Sequence, residues 1–188
     1  MAFLYNFIID LKSFIKRNFS TFIGVNLLLI IFAIWGFISA SNSNIQDLYD
    51  NSNSLVFGYL RGEGSGFVAF LCVSEILLLA CLILLSFNAF CQRCSILFIG
   101  LKVAYIVRIC CYVIAISGFF SIILLFAFLL LQLINCFIHQ CVYIFIKNNE
   151  LYLIDLVCYK DKTFYFIIMA IFMVLISLIS CFFISFLN

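Results

Sequence analysis

The sequence predicts an all-α, polytopic membrane protein of about five transmembrane helices, preceded by an amphipathic helix on the membrane face. Three observations predict it. Of 188 residues, 68% are hydrophobic and only 10% charged, with a mean hydropathy of +1.32. Soluble chains are about half apolar and carry roughly 25% charged residues, so no soluble domain of this size could solvate such a surface. The second is length: the apolar residues fall in blocks of roughly 20 or more, enough to cross a hydrocarbon layer of about 30 Å as helix. The third is the block Ser95 to Ile146, whose only strong charges are Lys102 and Arg108. It is too long for one crossing and is expected to break at Ser117-Gly118 into two.

The whole chain, 1–188, reads as one membrane domain. Segment 1–18 is the amphipathic helix. Phe3, Leu4, Phe7, Ile8, Leu11, Phe14 and Ile15 recur at helical spacing, with Asn6, Asp10, Lys12, Lys16 and Arg17 between them. The first span is 19–40, with Trp35 near its far end, where aromatic belts occur. Ser39-Ala40-Ser41 offers a small-residue cleavage site, but the apolar run is long for a signal peptide and its leading segment is itself structured.

Segment 41–66 is the long polar connection. It carries Asp47, Asp50 and Glu63 against Arg61, and Ile45, Leu48, Tyr49 and Val56 could form a short amphipathic helix. The glycines Gly58, Gly62, Gly64 and Gly66 lack the strand-turn-helix setting of a phosphate loop and read as a hinge. The second span is 67–87. A short turn with Arg93 leads to the third, 95–117, and the fourth, 119–146. A mixed-charge loop then precedes the fifth, 164–187.

Basic residues set the expected orientation. With the N-terminus cytoplasmic, the inner segments hold Lys12, Lys16, Arg17, Arg93, Lys147, Lys160 and Lys162, and the outer ones hold only Arg61. Five spans then place the C-terminus outside the cell membrane. The net charge of +2 carries no nucleic-acid footprint. No internal repeat of the transporter kind is evident.

Ionisable residues inside spans are costly and functional by default. Glu75 is expected about 12 Å, and Arg108 about 15 Å, below the outer boundary. They are therefore expected to pair, fixing helix packing or lining a transport path. Tyr105, Arg108 and Tyr112 share one helix stripe, and Glu75 and Ser86 another. Lys102, nearer the cytoplasm, is expected to point elsewhere and snorkel to the interface. Gln132, Asn135 and His139 form a second polar stripe suited to interhelical hydrogen bonds, as does Asn26.

His139 is the only histidine, so no His-pair metal motif exists. Cys91 and Cys94 form a C-x-x-C with only Cys158 as an obvious third ligand, too few for a structural zinc site. Most of the ten cysteines lie in apolar runs and read as small hydrophobes, not disulfides. No Ser-His-Asp set can be assigned. No catalytic, cofactor or metal residues are expected.

The layout resembles the stage II sporulation protein M family. Lys16-Arg17-Asn18 leads into a first span containing Gly24 and Gly36, and an outer segment with weak amphipathic helices follows. The long block then carries Ile99-Gly100-Leu101-Lys102, Ser117-Gly118-Phe119 and the polar step Leu131-Gln132-Leu133-Ile134-Asn135. A short basic loop with Tyr159-Lys160, and then Tyr165, leads into the last span. The prolines usual in the family are missing. The resemblance implies a membrane scaffold, not itself an enzyme. It would anchor or recruit membrane-anchored or secreted cell-wall (peptidoglycan) hydrolases during sporulation engulfment. Membrane lipids and further copies of the chain are the other expected partners. The alternative is a small transporter or channel subunit with an intramembrane polar path.

Overall fold

The structure is a computed structural model. It describes residues 9, 12–45, 47–48, 58, 66–117, 122–148 and 160–185. Five helices are long and apolar enough to cross a membrane. The long helices are α1 (Phe19–Ser41), α2 (Gly66–Leu84), α4 (Ile96–Ser117), α5 (Ile122–Asn148) and α6 (Lys160–Ser185). Between α2 and α4 lie a 3₁₀ turn (Leu85–Phe87) and the short helix α3 (Ala89–Cys94). The chain is thus an all-α, multi-pass membrane protein.

Without proline, nothing in these runs removes a backbone donor, and each helix satisfies its own amides as a hydrocarbon environment demands. The long block divides as expected: α4 ends at Ser117 and α5 begins at Ile122, with 118–121 outside the described residues. The Asn88 side chain accepts from the Phe90 amide and starts α3, leaving Arg93 in its last turn, beside the negative end of the helix dipole.

Residues 12–17 are helical and meet α1 through a turn at Asn18. Phe14 and Ile15 pack against the bundle, and Phe14 meets Phe22 edge-on with ring centroids 6.2 Å apart. Most of the predicted amphipathic helix lies outside the described residues. In the polar connection, Ile45 and Leu48 pack against the core, while Tyr49 and Val56 also lie outside the described residues.

Helix α5 is central and touches all four other long helices. The most extensive contact is between α1 and α4. It follows from small residues at four-residue spacing on both, Gly36 and Ala40 on α1 and Gly100 and Ala104 on α4, which let the backbones close up. A methyl group built on Gly36 would lie 2.9 Å from the Cα of Ala104. One on Gly100 would run into the ring of Phe32.

Two apolar clusters form the core. One joins Phe67 and Leu71 of α2 to Ile106, Ile109 and Val113 of α4, Leu125 and Phe128 of α5, and Ile184 of α6. The other joins Phe22, Val25 and Leu29 of α1 to Leu78, Leu79 and Leu82 of α2, Ile99 of α4, Val142 and Ile146 of α5, and Met173 of α6. The opposite faces are exposed and apolar, with Ile31 and Trp35 on α1 and Ile123 and Phe126 on α5. Such continuous apolar surface is suited to lipid, not water.

Candidate functional site: a buried polar layer

On four helices, polar side chains sit between the two apolar clusters. Glu75 falls between Leu71 and Leu78, and Lys102 between Ile99 and Ile106. Gln132, Asn135 and His139 fall between Phe128 and Val142, and Ser177 between Met173 and Ile184. The layer is therefore capped by hydrocarbon above and below.

Glu75 is its centre and is wholly buried. Its Oε2 accepts a hydrogen bond from the Lys102 ammonium, forming an ion pair in which the lysine side chain is 9% exposed. Its Oε1 accepts from Ser177 Oγ at 2.9 Å and from Asn135 Nδ2 at 3.1 Å. Asn135 Nδ2 also reaches Ser177 Oγ at 3.0 Å and the Met173 carbonyl at 3.2 Å. One carboxylate thus ties α2 to α4, α5 and α6.

His139 Nε2 lies 3.7 Å from Glu75 Oε2, and its Nδ1 is 2.8 Å from the Asn135 carbonyl. Gln132 donates to Ser180 Oγ at 2.7 Å, and Ser180 donates to the Ser177 carbonyl at 2.8 Å. The stripe Gln132-Asn135-His139 therefore faces the layer as a unit.

The partner of Glu75 differs from the sequence expectation, which pairs it with Arg108 and turns Lys102 away. Depth does not separate the candidates. Counted from the turn that joins α2 to α4, Glu75 is about 14 Å deep, Lys102 about 9 Å and Arg108 about 18 Å. Azimuth separates them. Gly100 and Ala104 fix which face of α4 meets α1. At about 100° per residue, Lys102 lies diametrically opposite that face, whereas Arg108 lies only about 60° from it. Lys102 therefore points into the bundle instead of snorkelling.

Arg108 finds an acceptor on its own helix. Its Nε and Nη2 lie 3.2 Å and 2.6 Å from Tyr112 Oη, and the guanidinium sits 5.6 Å from the centre of that ring. Tyr105, the third member of that stripe, meets the Phe70 ring instead, at 5.6 Å. Ser86 is buried but bonds the Ile83 carbonyl, not Glu75. Asn26 accepts from Gln140 Nε2 at 3.4 Å, so it links α1 to α5.

Sequence reading missed Ser177 and Ser180. Their signal is a Ser-x-x-Ser in an otherwise apolar helix, which puts two hydroxyls on adjoining turns of one face. Lys102 also lines an open groove of about 210 Å³ with Ser74, Leu77, Leu78, Cys81 and Phe98. None of the nine cysteines among the described residues forms a disulfide, and Cys158 lies outside them. No cluster of three metal-ligating side chains occurs among the described residues.

An ion pair in a membrane core is stabilised when both charges are matched and hydrogen-bonded, and breaking one is severe because the survivor is stranded. The arrangement fastens helices through one carboxylate. No family model, curated protein or solved structure matches the chain.

Proposed function

We propose that the chain is a multi-pass scaffold of the cell membrane. It anchors or recruits extracytoplasmic peptidoglycan-remodelling enzymes, as in sporulation engulfment, and is not itself an enzyme. The N-terminus is cytoplasmic and the C-terminus outside, by the distribution of basic residues. The observation that carries the scaffold reading is the polar layer held between two apolar clusters, with Glu75 wholly buried in it. Leu71 and Phe128 lie on one side, and Leu78, Leu79 and Ile99 on the other. A charge so enclosed, with three bonded partners, suits a fixed node that holds helices in register. The cell-wall partner class comes from the resemblance to the stage II sporulation protein M family.

Affinity capture of the tagged protein from native membranes in mild detergent tests this, with mass spectrometry of the bound proteins. Wall hydrolases should co-purify, and replacing segment 41–66 should abolish their recovery. Recovery alone, or with an ATPase, overturns the proposal.

A second reading, a small transporter or channel subunit, is favoured by one observation. Gln132 Oε1, Asn135 Oδ1 and His139 Nε2 are buried without hydrogen-bond partners. On that reading Glu75→Gln abolishes flux while the protein stays assembled.

A further inference from the structure

The hydrogen-bond roles on the inner face of α5 are forced by chemistry. The Met173 carbonyl can only accept, and so can a Glu75 carboxylate paired with Lys102. Both face the same Asn135 nitrogen, so that nitrogen is the NH₂ group, and Oδ1 is the atom left over. Ser180 Oγ gives its proton to the Ser177 carbonyl, so it accepts from Gln132, whose facing atom is therefore the amide nitrogen. The Asn135 carbonyl accepts from His139, so the imidazole proton sits on Nδ1 and a neutral ring keeps a lone pair on Nε2.

Every donor nitrogen on this stripe therefore has a partner, and the atoms without partners are all acceptors: Gln132 Oε1, Asn135 Oδ1 and His139 Nε2. All three residues are 0% exposed. The fourth acceptor is Glu75 Oε2, 3.7 Å from His139 Nε2. Glu75 Oε2 already accepts from Lys102, whereas His139 Nε2 has no donor, and a donor set between the two would serve both. Buried polar atoms in native proteins are satisfied by protein or by bound water.

Charge selects the donor. Glu75 and Lys102 already cancel, and Ser177 and Ser180 of α6 are neutral. A metal cation, or a proton that turns His139 into imidazolium, would leave one uncompensated positive charge in the membrane core. A neutral donor adds none. We propose that the α5 face from Gln132 to His139 is a binding site for a short file of water molecules, one of them bridging Glu75 Oε2 and His139 Nε2. The site is a hydrated node enclosed by the two apolar clusters.

The single histidine makes the test clean. The full chain, labelled with [¹⁵N]histidine, is placed in phosphatidylcholine and phosphatidylglycerol vesicles and studied by water-edited solid-state NMR. The expected result is a neutral, Nδ1-protonated ring, with magnetisation from water reaching Nε2 several times faster than the backbone nitrogen of the same residue. Equally slow build-up at both nitrogens means a dry face and overturns the proposal. An imidazolium spectrum at neutral pH, or an Nε2 shift that appears only when sodium or potassium is added, assigns the site to a proton or a metal cation and also overturns it.

Discussion

The carboxylate of Glu75 and the ammonium of Lys102, 27 residues apart in sequence, form an ion pair between α2 and α4 with the carboxylate fully buried. The pair explains how both charges are tolerated at that depth. It also makes the two residues energetically inseparable. Removing one side of a buried pair costs roughly 3–5 kcal/mol, because the other charge is left uncompensated. Glu75→Ala and Lys102→Met should each lower stability by about that amount, read from unfolding in mixed detergent micelles. Arg108→Met should cost clearly less than Lys102→Met, since Arg108 is bonded to its own helix neighbour Tyr112.

Asn135 is the next most connected group, bonding Glu75, Ser177 and Met173 across two helix interfaces. Interhelical hydrogen bonds in membranes are worth roughly 0.6–2 kcal/mol. Asn135→Leu should fall in or slightly above that range, and Ser177→Ala near its lower end. Asn135→Asp should be worse than Asn135→Leu, because it sets a second carboxylate against Glu75. Thermal unfolding of the three variants in one detergent ranks them.

The α1–α4 interface makes a sharper prediction about glycine. Alanine is the better helix former by about 1 kcal/mol, so Gly→Ala in an open helix position should stabilise. Gly24 has nothing within 4 Å of a built Cβ, and Gly24→Ala should be neutral or stabilising. Gly36 faces the backbone of Ala104, which cannot rotate away, and overpacking typically costs about 1–3 kcal/mol. Gly36→Ala should therefore be net destabilising. The opposite signs of the two changes, measured as shifts in Tm, check the interface.

Much of the fold was legible because a bilayer imposes one strong rule, about twenty apolar residues per span. That rule places all five helices and divides the block between Ser117 and Ile122. Glu75, Gln132, Asn135 and His139 are legible as intramembrane polar groups because they interrupt apolar runs, whereas Lys102 is expected from the sequence to leave the layer and snorkel. The residue pattern alone does not disclose which of them meet. Depth along a helix follows from counting, but azimuth depends on which neighbour fixes the face. The missing signal was the four-residue spacing of Gly100 and Ala104, matched by Gly36 and Ala40. It sets α1 against one side of α4 and so turns Lys102, not Arg108, toward Glu75. Ser177 and Ser180 went unread because a serine in a span bonds its own helix as readily as another.

The measurement that tests the pairing most directly is charge exchange between positions 75 and 102. Glu75→Lys, Lys102→Glu and the double exchange would be compared for unfolding free energy in the same micelles, beside the double exchange of Glu75→Arg with Arg108→Glu. The structure predicts that the first double variant recovers much of the stability lost by its single variants, and that the second recovers none. Recovery by the Arg108 exchange alone, or additive losses in the Lys102 exchange, would contradict it.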